Sequence, residues 1–302
     1  MRMKKALVTG GLGFIGFHLV QKLLHEGIEV VIVDEMIAEK KEEHEEKWMR
    51  IGRNDLVKLI DQNLEQVNVK KVLKEVDVLY HLAASTSNDS KWKKLQKVIE
   101  NNVDITKKLV EALPPSATLI YASTVEVYGE RPGKITERTP ANPTTPYGIT
   151  KLASEKLIQR DCKERNIAYT ILRLPTIYGP WQRDDMTFQQ IIMGDTAPDQ
   201  DRSTLDSLFV EDCVEAFYLA GIKKVKNEII HLASGEEDSW YKALELLEFK
   251  GEIKKNPIKT SMVPDKALNL LGFKPKVTLE KGLAKQKEHV TQWQKQRSFD
   301  RK

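Results

Sequence analysis

The sequence predicts an α/β fold, a doubly wound parallel sheet followed by a smaller carboxy-terminal domain. Three observations predict it. A glycine-rich turn joins a short apolar strand to a helix near the amino terminus. Apolar runs then alternate with helical patterns as far as Leu172, the pattern of parallel strands joined by crossover helices. After Arg173 the alternation loosens, with Pro175, Pro180, Gly194 and Pro198 in the next stretch.

Taken in order, Ala6-Leu7-Val8 is an apolar strand that ends in glycines. Phe14 to His25 reads as a helix with Leu19, Leu23 and Leu24 on one face, the spacing of an amphipathic helix. Val30 to Val33 is a second buried strand, closed by Asp34. The densely charged Glu39 to Arg50 is expected as a solvated helix or mobile loop on the surface. Val76 to Tyr80, Ala117 to Tyr121 and Ala168 to Leu172 are further strands, with helical patterns over 92–113 and 147–165. Residues 175–206 read as loops with one helix. Phe209 to Ile222 is a helix, and Glu228 to Leu232 a strand returning to the sheet. The rest reads as helices and loops. Residues 1–174 plus 207–234 are assigned to the cofactor-binding domain, and 175–206 plus 235–302 to the substrate-binding subdomain.

A chain of 302 residues that is 40% hydrophobic can bury a sizeable core. A net charge of +4 demands neither nucleic acid nor membrane. Cys162 and Cys213 form no disulfide framework or zinc site, which fits a reducing cytoplasm and predicts no metal. Met1 to Lys5 resembles the start of a signal peptide, but no long apolar region or cleavage site follows. No apolar run approaches the ~20 residues of a membrane span.

Gly10, Gly13 and Gly16 follow a strand and open a helix. They suit a tight turn, a close approach of backbone to pyrophosphate, and helix–strand packing. The helix N-terminus adds unpaired N–H donors. Asp34 stands at the end of the second strand, where a carboxylate accepts from adenosine ribose hydroxyls and repels a 2′-phosphate. NAD is therefore expected over NADP. Asp61 is a candidate for the adenine edge or a plain loop acid. The small residues of Leu82-Ala83-Ala84 would let a cofactor cross the sheet edge, while His81 is expected to be packed rather than catalytic.

Tyr147 and Lys151 are four apart and share a helix face. An ammonium beside a phenol favours the phenolate, which can take a hydroxyl proton as hydride leaves the same carbon. Ser123-Thr124 follows the strand Ala117 to Tyr121 at the sheet's carboxyl edge. Thr124 is expected to bond the reacting oxygen, with Ser123 in support; an ordinary turn or cap for Thr124 and a surface acid for Glu126 are the plainer alternatives.

With Thr-Gly-Gly-x-Gly-Phe-Ile-Gly at 9–16, Asp34, His81 to Ala84, Asn102, Ser123-Thr124, Val127-Tyr128-Gly129, Tyr147-x-x-x-Lys151, Arg173, Tyr178-Gly179-Pro180 and Leu271 to Pro275, the chain resembles the extended short-chain dehydrogenase/reductases. The likeness is to their NAD-dependent nucleotide-sugar epimerase/dehydratase branch and runs from about Lys4 to Gly282. It implies a Rossmann-type sheet and NAD held by Gly10, Gly13, Phe14, Ile15, Gly16, Asp34 and Asp61. Leu82, Ala83, Ala84, Asn102, Ser123, Tyr147 and Lys151 complete the implied cofactor set. It implies a C4 hydroxyl oxidised to a ketone, with Tyr147 as base, Thr124 assisting and Lys151 positioning both cofactor and tyrosine. Ser85, Thr124, Glu126, Thr176, Arg183 and Arg202 are the implied substrate contacts.

The 4-keto sugar can be epimerised, dehydrated or decarboxylated. The related 4,6-dehydratases carry Asp-Glu after the threonine; Val125-Glu126 stands here, which removes the acid and keeps the base. That leaves epimerase, decarboxylase, or a dehydration through Glu126, including the 5,6 type. A UDP-sugar 4-epimerase is the leading expectation, and a non-catalytic NAD-binding regulator the alternative from another class. Leu205-Asp206-Ser207 replaces the relatives' diphosphate-gripping Arg-Asp-Phe, so Arg202 or Arg183 is expected to substitute. Helices 92–113 and 147–165 are expected to build a homodimer bundle, with Leu109, Val110, Leu152 and Leu157 as either interface or core.

Overall fold

A computed structural model describes residues 3–85, 95–198, 205–223, 225–253 and 260–300. Its centre is a seven-stranded sheet in which every pairing is parallel. The strands are β1 (Lys5–Thr9), β2 (Glu29–Asp34), β3 (Val57–Asp61), β4 (Val78–His81), β5 (Thr118–Thr124), β7 (Ala168–Leu174) and β10 (Glu228–His231). Their order is β10-β7-β5-β4-β1-β2-β3. The order reverses between β1 and β4, and ligands of such sheets bind at the carboxyl ends beside that reversal.

Helices cover both faces, so the strands are apolar on both sides. Ala6 and Val8 of β1 face one core with Leu19 and Leu23 of α1 (Phe14–His25) and Phe217 of α8 (Val210–Lys223). Leu7 faces the other, with Leu109 and Val110 of α5 (Ile105–Ala112) and Ile158 of α6 (Pro146–Glu164). Leu109 and Val110 are thus core residues of one protomer. Between α4 (Leu95–Ile99) and α5 the helix widens into a π turn at Glu100–Asp104.

α1 matches its expected bounds, but other expectations need correction. β3 carries Asp61 as its last residue, so this acid ends a strand rather than sitting in a loop. Phe209 ends strand β9 (Ser207–Phe209) instead of opening a helix; β9 pairs with β8 (Thr176–Tyr178). A second ribbon joins β6 (Gly133–Ile135) to β11 (Thr260–Met262). The region after Arg173 is therefore built on short long-range ribbons as well as loops and α7 (Thr187–Ile192).

The charged segment is α2 (Lys41–Ile51), and it is not plain surface. His44, Glu46 and Lys47 are buried. The long last helix, α11 (Leu279–Asp300), lies over it: Gln296 donates to Glu46 at 2.9 Å, and Trp293 stacks 5.1 Å from Trp181, whose ring faces the Lys47 ammonium at 5.1 Å. Among the described residues no helix is long and apolar enough to cross a membrane.

Candidate active site

The glycine turn lies between β1 and α1, at the reversal of strand order. Gly10 has φ +72°, and a Cβ there would meet the Ala83 backbone at 3.0 Å. A Cβ on Gly16 would fall 2.0 Å from the Gly10 carbonyl. Both positions keep the backbone open where side chains would fill it. α1 starts at Gly13–Phe14 with no side-chain cap, so the N–H groups of its first turn, including those of Phe14 and Ile15, remain available to an anion.

The turn is braced on two sides. Asp34 accepts from the Leu12 N–H at 2.7 Å and the Glu35 N–H at 2.9 Å. Lys47, wholly buried, donates to the Leu12 carbonyl at 2.9 Å and pairs with Glu43. The Leu12 peptides are thus fixed by an acid from β2 and a base from α2. A carboxylate has about four acceptor sites, so Asp34 keeps capacity for ribose hydroxyls. Asp61 lies beside Asp34 in the β2–β3 register and accepts from the Met36 N–H at 2.9 Å.

Leu82, Ala83 and Ala84 leave β4 directly under the turn, and the Ala83 N–H donates to Thr9 Oγ1 at 3.2 Å. Asn102, in the π turn, accepts from the Ser85 N–H at 2.8 Å and donates to the Ser85 carbonyl at 3.2 Å and Thr150 Oγ1 at 3.1 Å. Its amide shapes the 82–85 segment. His81 is packed as expected, bonded to Thr9 at 2.8 Å and Thr106 at 3.0 Å, and burial pulls it down to about 3.

Thr124 closes β5 and caps the short turn Val125–Tyr128, its Oγ1 accepting from the Glu126 N–H at 3.2 Å. Successive strand residues point to opposite faces. Ser123 consequently turns away from Thr124 and donates to Glu155 at 2.5 Å, so it does not support Thr124 as the sequence suggested. α6 begins with Thr145 as N-cap, which accepts from the Gly148 N–H at 3.0 Å and donates to Glu126 at 2.8 Å. This joins the start of α6 to the end of β5 and brings Glu126 close to Tyr147.

Lys151 is 1% exposed. Its ammonium donates to the Ala122 carbonyl at 2.7 Å and lies 5.6 Å from the centre of the Tyr147 ring. Burial lowers Lys151 to about 7, with the Glu155 charge acting the other way. Tyr147 is raised, first by burial, then by the Glu126 charge and Tyr121, while Arg183 pulls it down. The expectation of a lowered tyrosine is therefore not met by the protein alone. The lysine bonds a carbonyl, and an acid stands beside the phenol.

Arg183 clasps Asp185 at 2.7 and 2.8 Å and is near enough to act on Tyr147. Thr176 is buried in β8, paired with Ser207. Arg202 lies outside the described residues, as does the 92–94 start of the expected helix. Leu205 is buried, its carbonyl accepting from Trp240 N–H at 3.0 Å. Asp206 accepts from Ser234 N–H at 3.1 Å and Ser234 Oγ at 2.5 Å, and burial pushes it up to about 6. Both residues are thus held by bonds within the protein. Lys47 and Glu155 escaped the sequence reading; Glu155 had a signal, four residues beyond Lys151 on the same helix face.

Residues 6–233 match the model of the NAD dependent epimerase/dehydratase family. The chain belongs to this family. As a member of the NAD-dependent epimerase/dehydratases it is an enzyme with NAD as cofactor, and a non-catalytic regulator is set aside. The glycine turn, the uncapped start of α1 and Asp34 fit that cofactor. An uncharacterised UDP-glucose epimerase, YtcB, of Bacillus subtilis is 32% identical over 92% of this chain and 95% of its own. A UDP-N-acetyl-α-D-glucosaminuronate decarboxylase of Bacillus cytotoxicus is 31% identical over 78% of this chain and 77% of its own. The crystal structure of a UDP-glucuronic acid 4-epimerase from Bacillus cereus, with UDP-glucuronic acid and NAD, superposes with TM-score 0.84 at 32% identity, covering 96% and 99% of the two chains.

Proposed function

We propose that the protein is a nucleotide-sugar 4-epimerase that works through a transient 4-keto sugar, with a UDP-linked substrate. The carrying observation is the junction of β5 and α6 at the sheet edge. There Thr124 ends β5, Glu126 ties it to the Thr145 cap of α6, and Lys151 faces Tyr147, with Val125 where a dehydratase would need an acid. Relatives named as UDP-sugar epimerases support the substrate class.

NAD, held by the turn from Gly10 to Gly16 and by Asp34, supplies hydride chemistry when bound. The chain's own task is the proton. Tyr147 takes it from the C4 hydroxyl and later returns it. Thr124 bonds the same oxygen through its hydroxyl, whose lone pair is already oriented by the Glu126 N–H. The Lys151 ammonium favours the phenolate at the moment of transfer. An epimer would form if the sugar presented its opposite face to the bound cofactor while Tyr147 and Thr124 kept hold of the C4 oxygen. Arg183, near Tyr147, suits an anionic group of the substrate.

A second reading rests on Glu126, placed beside Tyr147 by Thr145. A ketone at C4 acidifies the C5 proton, and a carboxylate there can remove it and drive loss of water.

The remaining assignments are proposals of the same kind. Asp61, Asn102 and Ser123 shape the cofactor site, and Ser85 and Thr176 line the substrate side. A homodimer would use α4, α5 and α6, where Leu152 and Leu157 are partly buried; light scattering behind size exclusion tests it. Buried free Cys162 and Cys213 fit a reducing cytoplasm.

The deciding experiment incubates the enzyme and NAD with UDP-, dTDP- and GDP-sugars and uronic acids, with chromatography and mass spectrometry of the products. A product of unchanged mass and shifted retention is expected. Loss of water selects the Glu126 reading, loss of carbon dioxide selects a decarboxylase, and either overturns epimerisation.

A further inference from the structure

Tyr147, Lys151 and Glu155 are spaced four residues apart on α6 and so stack along one face. Glu155 is 0% exposed. A carboxylate so deeply buried requires partners, and it has them from two strands. Ser123 Oγ of β5 donates at 2.5 Å, and Arg173 of β7 donates from Nε at 2.9 Å and from its terminal nitrogen at 2.6 Å. Arg173 also donates to the Tyr128 hydroxyl, which lies 2.5 Å from His231 Nε2. The carboxylate is thus locked in position at the base of the helix face that carries the tyrosine.

The titratable groups around Lys151 come from β4, β5, β7 and α6 itself, while the turn after β5 sets Glu126 beside Tyr147. β5 offers the Tyr121 ring at 4.6 Å. β4 offers His81, which burial and the Lys151 charge keep neutral. β7 offers Arg173, already engaged by Glu155. From α6 come Tyr147 and Glu155. Among the described residues, Glu155 is the acid that acts on the ammonium and opposes the cost of its burial.

We propose that Glu155 is a positioning residue of the reaction: its braced carboxylate keeps Lys151 an ammonium beneath Tyr147. This rests on Tyr147 and Lys151 being the proton-handling pair. Without the negative charge, Lys151 gives up its proton at lower pH, and Tyr147 loses the cation that favours its phenolate. Arg173 and Ser123 then act one step further out, by fixing the carboxylate.

The test follows the 13Cε resonance of Lys151 against pH in the full chain as purified, with 13C-lysine and assignment through Lys151→Arg. In Glu155→Gln the midpoint falls by about one pH unit or more, a factor of about ten in the protonation equilibrium. Ser123→Ala, which keeps the carboxylate, leaves the midpoint within a few tenths of a unit. The alkaline limb of kcat moves with the midpoint, so Glu155→Gln is about tenfold slower at pH 8 and close to the parent at the acid end. A folded, NAD-binding Glu155→Gln protein with the parent's Lys151 titration overturns the proposal. Should that variant not fold, Glu155→Asp serves, with an intermediate fall expected and an unchanged midpoint overturning the proposal. Full turnover by Lys151→Met would instead remove the proton-handling pair while leaving the titration result intact, so the two failures are separable.

Discussion

The glycine turn and the segment around Leu205-Asp206 hold their residues in opposite ways. Around the glycine turn the backbone does the work: an open turn, uncapped N–H groups, and a peptide gripped by Asp34 and Lys47. Around residues 205–206 the bonds are between side chains and backbone of the protein itself. Asp206 is bonded to Ser234, and Leu205 is buried with its carbonyl taken by the Trp240 N–H. The family's cofactor therefore constrains the turn through main-chain geometry.

The contrast can be broken or sharpened by mutation. Tyr147→Phe removes the proton acceptor and is expected to slow product formation by about 100- to 10,000-fold while NAD still binds; turnover beside calorimetric NAD titration checks this. Leu205→Arg, the residue type the family resemblance implies at this point, places a cation in a buried position. It is expected to destabilise the fold by about 3 kcal/mol with no gain in substrate affinity, as denaturant melts and binding would show. A stable variant with tighter substrate binding would mean the two segments differ less than described.

Gly16→Ala would set a Cβ 2.0 Å from the Gly10 carbonyl and so force the turn apart. NAD affinity is expected to fall on the order of 100-fold, about 2.7 kcal/mol, read by cofactor titration. The smallest effect concerns pH. Lys151 has its folded pKa depressed from 10.5 to about 7. Its contribution to stability is present above 10.5 and is lost as pH falls through 7. Relative to the parent, Lys151→Met should gain stability between pH 10 and 7, on the order of 2 kcal/mol, and hold that gain below pH 7. Thermal melts at pH 6 and 10 measure it.

Much of the cofactor half was legible in the sequence because its signals are local. Gly10, Gly13, Gly16 and Asp34 act through spacing along one strand–helix–strand unit, and Tyr147 and Lys151 through one helical turn. Less legible were features made by distant partners. β8 with β9 and β6 with β11 are three-residue strands, too short for periodicity to reveal them. α2 reads as solvated because its charges look unpartnered; yet Glu46 meets Gln296 and Lys47 meets the Leu12 carbonyl. Ser123 and Thr124 were read as a pair, although the pleat sends them to opposite faces.

The doubly gripped Leu12 has a kinetic consequence. A loop ordered before its ligand arrives has little conformational entropy left to lose on binding. Folding has already met that cost, through a buried ammonium and a carboxylate. A dinucleotide held in a turn already ordered is expected to leave slowly, which displacement by excess NAD would time.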